Sequence, residues 1–239
     1  MKARRVKKLD PVEPLGDNAA RIVRVRLDEM RSFAPKALKP KAVEKQHDMR
    51  IAAKRLRYVL EVTGFCFGRS ADVARRRARD LQDILGELHD CDVMLPRVEG
   101  HLAELRGADA EVVRRRARDA DDLDPTFAGR APHRTSYRGL ETLMVYLEAR
   151  RQLLFDRFRE FWAEQERSGT WDRLERAAER RIRAARERRR AEERAEEAKA
   201  ELEKAERKRR EAAARAAAAA SDLRDAARIG KPPGVPERR

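Results

Sequence analysis

The sequence predicts an all-α protein, an antiparallel four-helix bundle followed by a long, exposed, charged helix. Three observations carry that expectation. Apolar residues recur at i, i+3, i+4 and i+7 in four stretches of two dozen residues or so. No window sustains the alternation of a strand, so no sheet is expected. After Gly169 the composition shifts to Arg, Lys, Glu and Ala almost alone. The 239 residues suffice for one medium domain plus an extension. Aromatics make up only 5%, so the core must be built mainly from aliphatic residues and alanine.

Residues 1–16 carry Pro11, Pro14 and Gly16 and read as a disordered arm. Asp17 or Asn18 is placed to cap a first helix running to about Ser32. Pro35 and Pro40 punctuate a basic connection. A second helix runs from about Lys41 to Thr63 and stops at Gly64. The third places Ala74, Arg77, Leu81, Ile84, Leu85 and Leu88 on one face, with a break or kink at Asp92 and Pro96 before it resumes to Leu105. Residues 107–135 are polar, with Gly107, Pro125, Gly129 and Pro132, and read as a loop with room for a short helix at 110–121. A fourth helix spans Ser136 to Gln165, carrying Leu140, Leu143, Met144, Leu147, Leu154, Phe158, Phe161 and Trp162. The bundle thus occupies 17–168.

The segment 169–229 is expected to be one long helix. Glu–Arg and Glu–Lys pairs at i, i+4 and i, i+3 each add a little stability, and alanine has the best helix propensity. Leu174, Ile182 and Leu202 are too sparse for an a/d seam over several heptads, although a weak coiled coil with another chain stays open. Residues 230–239 contain three prolines and are expected to be disordered.

The formal charge of +15 favours polyanions as partners: polyphosphate, nucleic acid or an anionic membrane surface. The excess is not confined to the tail, being net +8 over residues 1–168 and +7 over 169–239. No run approaches the ~20 apolar residues that span a bilayer, and the basic start is followed by no apolar signal core, so a cytoplasmic protein is expected. Cys66 and Cys91 have no metal-ligand spacing and read as free thiols. Asp90 and Asp92 lack a third ligand and read as kink, cap or arginine partners. His89, His101 and His133 are scattered and suggest no cluster. With no nucleophile–base pair and no glycine-rich phosphate loop, neither catalysis, a metal nor a cofactor is expected.

The segment His47–Tyr58 is the most informative. On a helix, Met49, Ala52, Ala53, Leu56, Val59 and Leu60 share one face, while His47, Arg50, Lys54, Arg57 and Tyr58 share the other. Exposed helix faces ordinarily mix acids with bases, because like charges at i, i+4 repel. A row of cations with no carboxylate among them points to an anion supplied from outside. Its heads stand about 5–6 Å apart along one line, and arginine forks onto phosphate oxygens. His47 adds a donor that an anion would favour in protonated form, and Tyr58 a hydroxyl.

Joined with Leu81–Val93 (Leu-Gln-Asp-Ile-Leu-Gly-Glu-Leu-His-Asp-Cys-Asp-Val), this segment resembles the CHAD family, the conserved histidine α-helical domain, over roughly residues 17–165. The family pattern is a histidine followed by spaced Arg and Lys on one helix, then a Leu-Gly-x-x-x-Asp-x-x-Val-like stretch on the next long one. Its usual form is two four-helix bundles related by an internal repeat, with basic residues lining a polyphosphate-binding groove between them. Here only one His-x-x-Arg helix and one Leu-Gly stretch occur, and the Lys-Arg-Leu-Arg-Tyr wording resembles the second repeat. The resemblance therefore implies half a domain, whose groove either comes from a homodimer or is open and weak. The E-x-E-x-K motif of the triphosphate-tunnel domain fused to some members is absent.

The implied function is non-catalytic binding of inorganic polyphosphate, with targeting to polyphosphate granules as a consequence. The candidate binding residues are His47, Arg50, Lys54, Arg55, Arg57 and Tyr58, joined by Arg24 of the first helix and Arg138 of the fourth. Further cations stand at Arg21, Arg75, Arg76, Arg79 and Arg150. The alternatives are sequence-independent association with nucleic acid, against which the 15 acids of the tail and the few aromatics count, and a scaffold using the charged helix as spacer or oligomerisation arm.

Overall fold

The computed structural model describes residues 2–117 and 121–229. The chain divides into two compact units, residues 1–183 and 184–239. Among the described residues every regular element is helical. The helices are α1 (Leu15–Ala37), α2 (Val43–Thr63), α3 (Arg69–Ala117), α4 (Arg134–Arg167) and α5 (Thr170–Ile229), with 3-10 turns at Gly64–Cys66 and Pro125–Arg130.

Within the first unit α1 packs on α2, α2 on α3 and α3 on α4. The connections 38–42 and 64–68 are short, which fixes neighbours as antiparallel. The core gathers Val23, Leu27 and Met30 of α1, Met49, Leu56 and Leu60 of α2, Leu81, Leu85 and Leu88 of α3, and Leu154, Phe155, Phe158 and Trp162 of α4, whereas Leu143, expected on the apolar face of the fourth helix, is exposed. Ala52, Ala53, Ala71, Ala74 and Ala78, all fully buried, join this cluster from α2 and α3. Such small side chains let two helices approach closely.

Several sequence-based expectations are corrected. Helix α3 neither breaks at Asp92 nor stops near Leu105; it runs unbroken through Pro96 to Ala117. The proline lacks the N–H that would bond the carbonyl of Asp92. Burial of Val98 and Leu102 on the same helix offsets that loss. The expected loop at 107–135 is helical as far as Ala117, held by Asp109. This buried carboxylate accepts from the His133 backbone N–H at 3.1 Å, from His133 Nδ1 at 2.7 Å and from the Tyr137 hydroxyl at 2.5 Å. Burial pushes the Asp109 carboxyl up, but the bonds from Tyr137 and His133 outweigh that and hold it below its usual range. Helix α1 begins at Leu15, before both candidate caps, and passes through Pro35 to Ala37.

Of the arm expected at 1–16, Leu15 and Gly16 already belong to α1 and residues 2–14 are irregular but tied to that helix: Arg4 bonds Asp28, Ser32 and, through its backbone, Glu29, while Asp10 and Asn18 bond each other. Most consequential, the bundle does not end at 168. Trp171, Leu174, Ala178 and Ile182 of α5 are buried in the core, with Trp171 stacked on Trp162 at 6.0 Å. Two large aliphatics spaced eight residues apart cannot make a heptad seam, but with Trp171 they can seat the first turns of a helix in a bundle. In the second unit the helix continues to Ile229, and the described side chains beyond Arg186 are exposed. The expectation for 230–239 lies outside the described residues. Among those described, no helix is long and apolar enough to cross a membrane.

Candidate anion-binding site

The site is the seam between α2 and α3. Two observations set its register: the rings of His47 and His89 lie 4.6 Å apart, and a Cβ at Gly86 would meet Arg50 Nε at 3.6 Å. In an antiparallel pair each step forward on one helix is a step back on the other, so Lys54 stands across from Gln82 and Arg57 across from Arg79. Glycine at 86 leaves the floor of the seam bare where the Arg50 guanidinium lies.

What distinguishes the seam is unmet hydrogen bonding. His47 Nδ1, Arg50 Nε and Arg57 Nε from α2, and Gln82 Oε1 and His89 Nδ1 from α3, are all buried with no partner. Such orphans are rare, since each costs about 1–3 kcal/mol of desolvation. Four of the five are nitrogens able to donate, while Gln82 Oε1 accepts. Among the described residues no carboxylate pairs with Arg50 or Lys54, and Arg57 meets only Glu61, at 3.7 Å. The row is therefore cationic, partly desolvated and short of acceptors, which suits an oxyanion. His47 bears the strain of that arrangement. Its pKa is lowered by burial first, then by His89 and Arg50, with Asp48 acting weakly the other way. Burial and the neighbouring His89 and Arg50 thus favour its neutral form.

The expected residues do not all converge. His47, Arg50, Lys54 and Arg57 line the seam. Tyr58 is half exposed, and its ring rather than its hydroxyl meets the row: Arg57 lies 4.7 Å and Lys54 5.7 Å from its centroid. Arg55 turns away and pairs at 3.1 Å with Glu29 of α1, a carboxylate only 1% exposed. Arg24 is exposed on α1, the helix on that opposite flank of α2. Arg138 adjoins Tyr137, which bonds Asp109, twenty residues along α3 from His89 and so about 30 Å away. Arg21 pairs with Glu13 and Arg150 with Glu87. Conversely, the sequence reading set His89 apart from any cluster. Its spacing of i, i+4 and i+7 from Gln82 and Gly86 was the available signal. Asp92 pairs with Arg151 of α4, the arginine role its sequence suggested.

Residues 2–99 match the family model of the CHAD domain. This segment, less than half of the chain, is similar to the CHAD domain. It contains α1, α2 and the first two-thirds of α3, and with them both motifs and every group of the seam. The match starts earlier and stops sooner than the resemblance at 17–165 suggested, leaving α4 and α5 outside the matched CHAD segment even though both complete its core. No curated protein and no solved structure matches the chain.

Proposed function

We propose that the α2–α3 seam is a non-catalytic binding site for inorganic polyphosphate, a chain of repeated charge with no base edges to read. The observation that carries this reading is the set of four orphaned nitrogens, of His47, Arg50 and Arg57 on α2 and of His89 on α3, along one cationic seam. An anionic chain lying there meets Arg50, Lys54 and Arg57 in succession and supplies the acceptors that the protein withholds. The row, its bare floor at Gly86 and both histidines come from one chain, so the reading needs no second copy to complete the seam. Granule targeting follows if the bound polyphosphate is the stored polymer.

The test is competition between long-chain polyphosphate and duplex DNA for the full chain at ~150 mM salt, where non-specific phosphate contacts are already weakened. The expected result is preference for polyphosphate, abolished on combining Arg50→Gln, Lys54→Gln and Arg57→Gln. Equal affinity for DNA, or binding that survives the triple substitution, would mean that net charge alone accounts for the behaviour.

A further inference from the structure

The seam is open at one end only. Past Arg57 the two helices continue with Glu61 on α2 and Arg75 on α3, both reachable from solvent. Past the histidines it is stopped. Arg151 reaches in from α4 and donates to Asp92 of α3, to the Pro40 carbonyl at 3.1 Å and to Gln46 Oε1 at 3.2 Å. Gln46 Nε2 in turn bonds the carbonyls of Ala37 at 3.2 Å and Lys39 at 3.0 Å. Gln46 is 2% exposed, and the side chain of Asp92 10%. This knot ties α2, α3, α4 and the 38–42 connection together one residue beyond His47 and three beyond His89. An extended chain cannot run on through it.

On the reading of the seam as a polyphosphate site, we propose that it takes a linear phosphate chain by its end: the terminal phosphate lies against His47 and His89, and the chain leaves along Arg50, Lys54 and Arg57. The chemistry of the blind end fits. An internal phosphate of a condensed chain has two free oxygens and one charge. A terminal phosphate has three free oxygens and an additional weakly acidic proton, of the kind that titrates near pH 6 in a phosphomonoester. Two neighbouring imidazoles, each with a buried Nδ1 lacking any partner, offer donors to those extra oxygens. The fixed charges of the arginines and lysine suit the repeating part of the chain. The asymmetry of the row, imidazoles at the closed end and permanent cations toward the open one, follows the asymmetry of a chain that has an end.

The experiment compares, on the full chain, a long polyphosphate with free ends and the same polyphosphate with both terminal phosphates capped as phosphoramidates. Stoichiometry at saturation is measured over several chain lengths. The expected result is at least about tenfold weaker binding of the capped polymer, the equivalent of one charge-assisted hydrogen bond removed. Copies bound per uncapped chain should not rise with its length. Replacing both His47→Gln and His89→Gln should leave weak binding that no longer distinguishes capped from free ends. Equal affinity for the two polymers, copy number growing with length, or a double variant that keeps the discrimination would overturn end recognition while leaving the seam a polyphosphate site. Failure to bind either polymer would overturn both readings. If the double variant does not fold, the capped-against-free comparison on the natural chain decides alone.

Discussion

Replacing Arg50 by glutamine should weaken polyphosphate binding without weakening the fold. Arg50 has a buried Nε with no hydrogen-bond partner and no ion pair among the described residues, and its charge helps to depress the pKa of His47. Nothing in the folded protein depends on that charge. A hydrogen bond to a charged group is worth about 1.5–3 kcal/mol, so Arg50→Gln should cost roughly 10- to 150-fold in affinity. It should also flatten the salt dependence. The slope of log K against log salt should fall by about 0.7, the value for one fewer phosphate neutralised on a single-stranded chain. Stability should hold or rise, by up to about 1–3 kcal/mol, because a buried unpaired group is removed. Arg55→Gln is the control of equal charge. Arg55 serves Glu29, so that variant should lose about 1–2 kcal/mol of stability and keep its affinity and salt slope. Titration at several salt concentrations together with thermal melts reads all three quantities. If both variants weaken binding equally, affinity follows net charge and the seam is not the site. A loss of stability in Arg50→Gln comparable with that in Arg55→Gln would show that Arg50 is a structural residue.

The depressed His47 makes a pH prediction of definite sign. A histidine whose pKa is lower folded than unfolded adds stability that is full above about pH 6.5 and is lost as pH falls through the folded value, because the unfolded chain then binds more protons. Bound polyphosphate favours the imidazolium, so affinity should rise over that same fall in pH, and melting curves with and without polymer should diverge on acidification. His47→Gln should abolish the divergence. The charged groups facing His47 are His89 of α3 and Arg50 and Asp48 of α2 itself. The bundle needs the start of α5: a chain ending at residue 183 should melt like the full first unit. One ending at 168 loses Trp171 and Leu174 from the core, each worth about 2–5 kcal/mol as a truncation to alanine, and should be largely unfolded by circular dichroism. Gly86 separates space from stability. Gly86→Ala should stabilise by about 0.5–1 kcal/mol, since its Cβ would stand at an ordinary van der Waals distance of 3.6 Å from Arg50. Gly86→Leu should fill the floor of the seam and reduce binding, measured in the same titration.

Helix α2 was legible almost to the residue, because its pattern, its following glycine and its cationic row all agree within twenty-one residues. The all-α class and most of the core were legible for the same local reason. Helix α3 was not: Pro96, Gly100 and Gly107 are local stop signals. What overrides them is tertiary, the packing of Val98 and Leu102 and the latch between Asp109, His133 and Tyr137. The start of α5 failed similarly, since Trp171, Leu174 and Ile182 make no repeat and become core only because a bundle stands ready to receive them.

Read alone, the sequence determined which cations share a helix face with His47, since 3.6 residues per turn places Arg50, Lys54 and Arg57 there whatever surrounds them. It also determined the resemblance to the CHAD domain. Only the tertiary structure decided that Arg55 belongs to Glu29 rather than to the row. It alone brought His89 and Gly86 across from α3 and closed the seam with Arg151. Periodicity reports the face of a helix, whereas partners on other helices depend on register between elements that no local pattern encodes. The distance from a local pattern to a binding site is the pairing of α2 with α3, and that is fixed by burial of the alanines between them.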